Sequence, residues 1–202
     1  YAMFGMLSRP VIERIDLGVI ADTRDAVRNA FREAGEAADL ILTSGGVSVG
    51  EADFITEMLG EMGSINFWRM AMKPGKPLAF GRLGKATFFG LPGNPVSAMV
   101  TFYQFVLPAI RKMSGEHSHA PLLFQARCAT HLKKSPGRAE FQRGMMELQQ
   151  DGSWTVTSTG TQGSHLLTSM TKANCLIHLS AESAGADEGE MVTVQPFQDF
   201  LG

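Results

Sequence analysis

Apolar residues recur along the chain with two different periods, and the change from one to the other divides the sequence. Over the first 114 residues, short apolar runs alternate with segments in which apolar residues recur every three or four positions. The stripe formed by Val27, Ala30, Phe31 and Ala34 is of the second kind and is typical of an amphipathic helix. Strands that alternate with helices in this way predict an α/β domain built on a parallel sheet.

The elements of this first part follow from the apolar runs and from the residues that flank them. Asp22 is a candidate N-cap, and Asn94 followed by Pro95 is typical of a helix N-terminus. We predict helices that end near residue 9 and that cover 23–35, 54–62 and 95–110. We predict buried strands at 15–20, 40–42, 65–72, 78–80 and 86–91.

The pattern changes near residue 115, where a polar segment with Gly115 and Pro121 is typical of a linker. Asp151-Gly152 between two later apolar runs indicates a hairpin. We predict strands at 122–132, 140–148, 154–158, 175–179 and 191–194, and a short helix within 164–171. The sequence therefore predicts an α/β domain over 1–118, followed by a small, mostly antiparallel, barrel-like β domain over 119–202.

Charge and composition indicate which classes of binding partner to expect. The chain has 202 residues with 18 basic and 20 acidic side chains, a formal net charge of -2. We therefore expect no nucleic-acid partner and no membrane partner. Cys128 and Cys175 fit either one disulfide or two reduced thiols of a cytoplasmic protein, the location that we predict. The first residue is Tyr1 rather than Met, which suggests a fragment.

The first candidate site is a glycine-rich turn after the strand at 40–42. A strand, a glycine turn and a helix N-terminus together form an anion site, because backbone N–H groups point outward there. The candidate ligand-binding residues are Ser44, Gly45, Gly46, Ser48 and Gly50. Glu51 and Asp53 carry carboxylates suited to Mg²⁺. The alternative is a tight turn with Asp53 as a helix cap.

A second glycine-rich turn, Pro92-Gly93-Asn94-Pro95, follows the strand at 86–91. Its two prolines stiffen the loop, and the following helix exposes N–H groups. Ligands of open α/β sheets bind outside the carboxyl ends of the strands. We therefore expect the two turns to lie side by side, with one phosphate-bearing ligand across them. The alternative is a plain strand-to-helix connection with a good cap.

A cationic strip is the third candidate site. If residues 65–72 form one strand, the period of two places Arg69, Ala71 and Lys73 on one face, and Lys76 follows on a proline-stiffened turn. Such a strip can meet phosphate or another oxyanion. The alternative is solvated surface charge. Weaker anion contacts are suggested by Arg138, Arg143 and the run 162–165.

Five motifs in order along the chain resemble the bacterial MoeA family, the molybdopterin molybdenumtransferases, and the similar E domain of gephyrin. They are Thr43-Ser44-Gly45-Gly46-Val47-Ser48-Val49-Gly50-Glu51-Ala52-Asp53, Met72-Lys73-Pro74-Gly75-Lys76-Pro77, Gly90-Leu91-Pro92-Gly93-Asn94-Pro95-Val96-Ser97, Pro136-Gly137-Arg138 with Phe141-Gln142-Arg143-Gly144, and Gln162-Gly163-Ser164-His165. Their number and order make the resemblance specific over nearly the whole chain.

The resemblance implies an enzyme that inserts molybdenum from molybdate into adenylylated molybdopterin and releases AMP, with Mg²⁺ required. It implies catalytic roles for Asp53, Arg69 and Lys73, where Arg69 replaces a lysine of the bacterial proteins. The other implied ligand-binding residues are those of the two turns, with Lys76, and with Arg143 and Ser164 reaching the ligand from the β domain.

The chain also departs from the family's pattern. Members are about twice as long, and the two N-terminal domains, the first strand of the α/β domain and an Asp-bearing turn have no counterpart here. Members form homodimers whose active site borrows partner residues, so this chain alone is expected to bind weakly and turn over nothing. Two other functions stay open, a molybdopterin adenylyltransferase and a non-catalytic scaffold of the gephyrin type. The adenylyltransferase is also a candidate partner.

Overall fold

The computed structural model describes residues 2–9, 11–45, 53–117, 120–164 and 166–197. The chain divides into two compact units. The N-terminal unit comprises Tyr1–Met70 and Gly75–Ser114, and the C-terminal unit comprises Ala71–Pro74 and Gly115–Gly202. A short segment of the first part of the sequence thus belongs to the second unit.

The helices are α1 (Ala2–Met6), α2 (Arg24–Ala37), α3 (Asp53–Met62), α4 (Pro95–Thr101), which continues through a π-helical turn (Phe102–Val106) into α5 (Leu107–Met113), and α6 (Thr168–Thr171). The strands are β1 (Leu40–Ser44), β2 (Gly63–Arg69), β3 (Met72–Lys73), β4 (Pro77–Leu83), β5 (Ala86–Leu91), β6 (Phe124–Cys128), β7 (Leu132–Lys133), β8 (Ala139–Leu148), β9 (Trp154–Ser158), β10 (Cys175–Leu179), β11 (Gly185–Ala186) and β12 (Met191–Pro196).

The sheet of the N-terminal unit is mixed, with the strand order β1-β5-β4-β2. Only β1 and β5 run parallel, while β5–β4 and β4–β2 are antiparallel. The prediction of a parallel sheet is therefore wrong for two of its three pairings. The tight turn at Gly84, whose φ of 59° is accessible to glycine, folds β4 back directly onto β5. The loop closed by the bond from the Met70 N–H to the Lys76 carbonyl likewise folds β4 back onto β2.

Each face of this sheet carries its own hydrophobic core. On one side, Phe31 of α2 meets Phe88 of β5 edge to face, with ring centroids 5.8 Å apart, among the buried residues of α3 and β4. On the other side, Phe89 and Leu91 of β5 are buried with Phe102 and Val106 of the α4–α5 helix. The carboxyl end of β5 is therefore held from both faces.

Residues 15–20 do not form the predicted buried strand. They have no regular structure, and Ile15, Val19 and Ile20 are exposed, Val19 fully so. An apolar run becomes a strand only when a neighbouring strand pairs with it, and no such pairing involves residues 11–22 in the described part of the chain. The helix that follows is capped by Thr23, whose hydroxyl accepts from the Ala26 N–H, rather than by Asp22.

The main sheet of the C-terminal unit has the order β10-β12-β6-β9-β8-β3, with a further pairing between β10 and β8. That extra pairing closes five strands into a ring. Antiparallel pairs predominate, and β6–β9 and β3–β8 are parallel. The interior is apolar and is formed by residues such as Ala126, Val156, Ile177 and Val194, all fully buried.

The predicted strand 65–72 is confirmed over 65–69 and wrong beyond that, because β2 ends at Arg69. The Met70 N–H donates to the Lys76 carbonyl (2.7 Å), and this bond closes the loop between them. Inside that loop, β3 pairs in parallel with β8 of the C-terminal unit, and the Ala139 N–H donates to the Ala71 carbonyl (3.0 Å). Arg69 and Lys73 therefore belong to different strands and do not form one strip.

Candidate functional site

The first glycine turn begins where β1 ends. Ser44 is exposed, and Gly45 has a φ of 91°, a conformation that favours glycine. The Gly45 N–H donates to the Leu91 carbonyl (3.1 Å) at the end of β5. The predicted ligand and metal residues that lie outside the described part of the chain are Gly46, Ser48, Gly50 and Glu51. Asp53 is the first residue of α3, but its side chain is also outside the described part.

The second glycine turn connects β5 to α4. Pro92 is buried and Gly93 and Pro95 are exposed. A Cβ on Gly93 would lie 3.5 Å from the Cα of Gly45. Since β1 and β5 are parallel and Ser44 pairs with Leu91, the two turns lie side by side at the carboxyl ends of neighbouring strands. The expectation of adjacent turns is confirmed for their described residues.

Asn94 is the N-cap of α4, and its Oδ1 accepts from the Ser97 N–H at 3.4 Å. We expect Asn94→Ala to destabilise the N-terminal unit by about 1 kcal/mol, the usual cost of losing an N-cap. Asn94→Ser keeps a capping oxygen and is expected to stay near wild type. Thermal unfolding followed by circular dichroism compares the three proteins, and an unchanged midpoint for Asn94→Ala would contradict a capping role.

The C-terminal unit contains a cavity of about 670 Å³ in whose wall lysine and arginine outnumber acidic residues. Its volume lies in the range typical of small-molecule sites. Lys73, Lys133, Lys134 and Arg138 supply positive charge, and Glu140 is the one carboxylate among the described lining residues. The remaining lining residues are Thr130, His131, Leu132, Ser135, Pro136, Gln142, Ser158, Gly160 and Gln162. This arrangement suits an anion.

Lys73 reaches the cavity through the pairing of β3 with β8, which sets it opposite Glu140. The Lys73 Nζ lies 3.2 Å from Oε1 of Glu140. The same oxygen accepts from Nε2 of Gln142 (3.2 Å), which also donates to the Lys133 carbonyl (2.9 Å). The side chain of Lys73 is 48% exposed and that of Glu140 only 8%. The ammonium therefore faces the open side of a buried carboxylate.

Lys134 is a buried cation with a different role. Its Nζ donates to the carbonyls of Ser183 (2.8 Å), Ser135 (3.1 Å) and Ala181 (3.3 Å). All three of its donors are therefore engaged with the backbone. The cations of the cavity wall that keep donors for a ligand are Lys73, Lys133 and Arg138.

Arg143 lies behind the cavity wall, with 1% of its surface exposed. Its guanidinium donates to the Ser169 hydroxyl (3.1 Å) and the Gly163 carbonyl (3.2 Å). Its backbone N–H donates to Oε1 of Gln162 (2.8 Å), a cavity residue. Burial lowers the pKa of Arg143, and the Glu140 carboxylate opposes that effect. Arg143 thus anchors the segment that includes the half-buried Ser164.

The other predicted basic residues lie in the N-terminal unit. Arg69, the last residue of β2, is exposed, and so is Lys76. Both cysteines are free and buried, and burial raises the pKa of Cys175 to about 12, so its thiol stays protonated. Within the described residues, no group of three His, Cys, Asp or Glu side chains converges as a metal site, and no helix is long and apolar enough to cross a membrane.

Sequence reasoning missed several cavity residues, among them His131, Lys133, Lys134 and Glu140. One signal was available, because Lys133-Lys134-Ser135-Pro136-Gly137-Arg138 repeats the combination of basic side chains with a Pro-Gly turn seen at Lys73–Lys76. No pattern marks Glu140, since its importance comes only from the pairing of β8 with β3.

Comparisons with known proteins agree with this architecture. Residues 1–112 match the family described as "Probable molybdopterin binding domain", and residues 125–197 match "MoeA C-terminal region (domain IV)". A molybdopterin molybdenumtransferase from Haemophilus influenzae is 48% identical over 98% of this chain and 49% of its own length. Gephyrin from Dictyostelium discoideum is 32% identical over 87% of this chain and 28% of its own length.

A solved structure also matches nearly the whole chain. It is a molybdenum cofactor biosynthesis protein from Pyrococcus furiosus, with a TM-score of 0.76 and 25% identity, covering 96% of this chain and 62% of that one. The chain spans about half the length of the Haemophilus relative. The two matched families account for both units in order, and the chain belongs to the MoeA family of molybdopterin molybdenumtransferases.

Proposed function

We propose that this chain takes part in molybdenum cofactor biosynthesis by inserting molybdenum, supplied as molybdate, into adenylylated molybdopterin with release of AMP. The observation that carries the proposal is the cationic cavity of the C-terminal unit, onto whose wall β3 brings Lys73. Molybdate and the phosphate groups of the pterin substrate are tetrahedral oxyanions. Ammonium and guanidinium groups are the side chains that bind such anions most strongly.

The N-terminal unit is proposed to hold part of the pterin substrate at the two adjacent glycine turns. Gly45 and Gly93 bring backbone close to backbone at the carboxyl ends of β1 and β5, the position at which open α/β sheets bind ligands. Asp53 and Arg69 are proposed to act with Lys73 in catalysis. Arg143 is proposed to act from behind the cavity wall, because its guanidinium holds Gly163, the neighbour of the cavity residue Gln162.

Several finer features are proposed on the residue types and the family resemblance. They are Mg²⁺ at Glu51 and Asp53, a homodimer, a molybdopterin adenylyltransferase as partner, and a cytoplasmic location. Carboxylates are ligands that suit Mg²⁺.

Two other functions are less well supported. A molybdopterin adenylyltransferase needs the α/β domain but leaves the match of residues 125–197 to the MoeA C-terminal region without a role. A scaffold of the gephyrin type leaves the cationic cavity without a role. Both alternatives predict no molybdate-dependent chemistry.

The purified chain tests the proposal in two steps. Adenylylated molybdopterin is titrated into the protein by calorimetry, and AMP is then measured by chromatography after molybdate is added. We expect saturable but weak pterin binding, because the chain spans about half the length of the Haemophilus relative, and any AMP that forms should depend on molybdate. If neither adenylylated molybdopterin nor molybdate bound at millimolar concentration, the proposed site would be refuted.

A further inference from the structure

We propose that Glu140 is the built-in counter-ion of Lys73, and that an oxyanion entering the cavity must take the ammonium away from this carboxylate. Glu140 would then set the affinity of the site and favour release of the bound anion. The inference rests on the proposed function, because it assigns a role within the same oxyanion site.

The backbone imposes the contact between the two side chains. β3 and β8 run parallel, with Lys73 opposite Glu140 and Met72 opposite Ala139. The hydrogen bond from the Ala139 N–H to the Ala71 carbonyl (3.0 Å) fixes the same register at the residue before Met72. The 3.2 Å separation of the Lys73 Nζ from the Glu140 carboxylate therefore follows from strand pairing. It does not depend on a chance meeting of two surface side chains.

The pair is asymmetric, and this asymmetry decides which partner moves. Glu140 lies almost entirely inside the unit, whereas about half of the Lys73 side chain is exposed. Lysine has four rotatable bonds and retains rotamer freedom when it is half exposed. An anion in the cavity can therefore draw the ammonium toward itself while the carboxylate stays where it is.

Gln142 keeps Glu140 in place when Lys73 leaves. Two residues along the same strand, it lies on the same face of β8 and donates to Oε1 of Glu140 (3.2 Å). Its second contact, to the Lys133 carbonyl (2.9 Å), holds the amide in that orientation. A buried carboxylate without any donor is costly. The amide provides that donor, so the exchange of Lys73 between Glu140 and a ligand is feasible.

The charges of the residues that line the cavity determine how strongly the exchange of Lys73 between Glu140 and an anion affects the affinity for that anion. Of the four basic residues that line the cavity, Lys134 has its donors engaged with carbonyls. The negative charge of Glu140 offsets the positive charge of the other three basic residues, and it repels any anion that enters the cavity. Removing one like charge about 6 Å from a bound dianion is expected to tighten binding about tenfold or more. The ligand chemistry at stake is a tetrahedral oxyanion, either molybdate or phosphate.

The experiment compares Glu140→Gln with wild type in separate calorimetric titrations of sodium molybdate and inorganic phosphate. Gln keeps an acceptor oxygen for Gln142, and Glu140→Ala serves as a second variant if the first does not fold, as judged by circular dichroism. Glu147→Gln is the matched control, because Glu147 is an exposed residue of the same strand that does not line the cavity.

We expect Glu140→Gln to bind about tenfold more tightly whichever of the two anions the wild type prefers, and Glu147→Gln to match the wild type. If the wild type binds and Glu140→Gln binds equally or more weakly, the counter-ion role is overturned while the oxyanion site stands. If the wild type binds neither anion, the oxyanion site itself fails, and the counter-ion role fails with it.

Discussion

Replacing Lys73 by alanine is expected to weaken the binding of molybdate or of adenylylated molybdopterin about ten- to a hundredfold. A charge-assisted hydrogen bond to an oxyanion contributes roughly 1.5–3 kcal/mol, which corresponds to that range. Lys73 is a cation of the cavity wall whose side chain is half exposed and whose backbone is held in register by strand pairing. Its loss removes a donor and lowers the positive charge that attracts the ligand.

The salt dependence distinguishes a ligand contact from a general loss of structure. Exposed charges are screened over about 8–10 Å at physiological ionic strength, so the difference between wild type and Lys73→Ala should shrink as salt rises. Lys172→Ala is the control, since Lys172 is an exposed lysine of the same unit that does not line the cavity. Calorimetric titrations at two salt concentrations measure the effect. Equal affinities of Lys73→Ala and Lys172→Ala at low salt would show that Lys73 is a solvated surface residue.

Much of the C-terminal unit was predictable because its strands and turns are marked by residues that are close together in the sequence. Alternating apolar positions bounded by turn residues predicted β9 and β10 with the bounds that the structure has, and β8 to within one residue. The Asp151-Gly152 turn predicted the β8–β9 hairpin, in which Leu148 pairs with Trp154. The adjacency of the two glycine turns was likewise predictable, because each directly follows a strand and the two strands are parallel.

The errors concern features that depend on residues far away in the sequence. Residues 15–20 have the composition of a strand, but a strand also needs a neighbour, and local composition does not report one. The pairing of β3 with the C-terminal unit was also unpredictable from local sequence, because a strand of two residues is too short to show a periodic pattern. The sequence therefore predicts a cationic strip on one strand, whereas the structure has a cavity formed by β8 and its neighbours.

The cavity also shows why charge alone is a poor guide to which residues touch a ligand. Lys134 and Lys73 are both lysines on the same wall, yet one is enclosed by three carbonyls and the other is half exposed beside a carboxylate. Charged residues are usually expected at the surface, so neither the burial of Lys134 nor that of Arg143 was predictable from composition. Only the hydrogen-bond partners separate the structural cations from those available to an anion.

Arg143→Met is expected to destabilise the C-terminal unit by about 3 kcal/mol, the largest loss of stability that we predict. Met has a similar length but no donors, so the Ser169 hydroxyl and the Gly163 carbonyl lose their contacts to the guanidinium. Gly163 belongs to the segment between β9 and α6 that also contains Gln162 and Ser164, and Ser169 belongs to α6 itself. The substitution should therefore loosen that segment as well as lower the stability of the unit.

Trp154 allows the effect to be measured in the C-terminal unit alone. The chain has two tryptophans, so Trp68→Phe leaves Trp154, which packs against Phe124 with ring centroids 5.7 Å apart. In that background, urea unfolding followed by fluorescence is compared between Arg143→Met and Arg138→Met. Arg138 is exposed in the same unit, and its replacement is expected to change stability by less than about 0.5 kcal/mol. If the two variants unfolded at the same urea concentration, the buried guanidinium would not be the anchor of the segment.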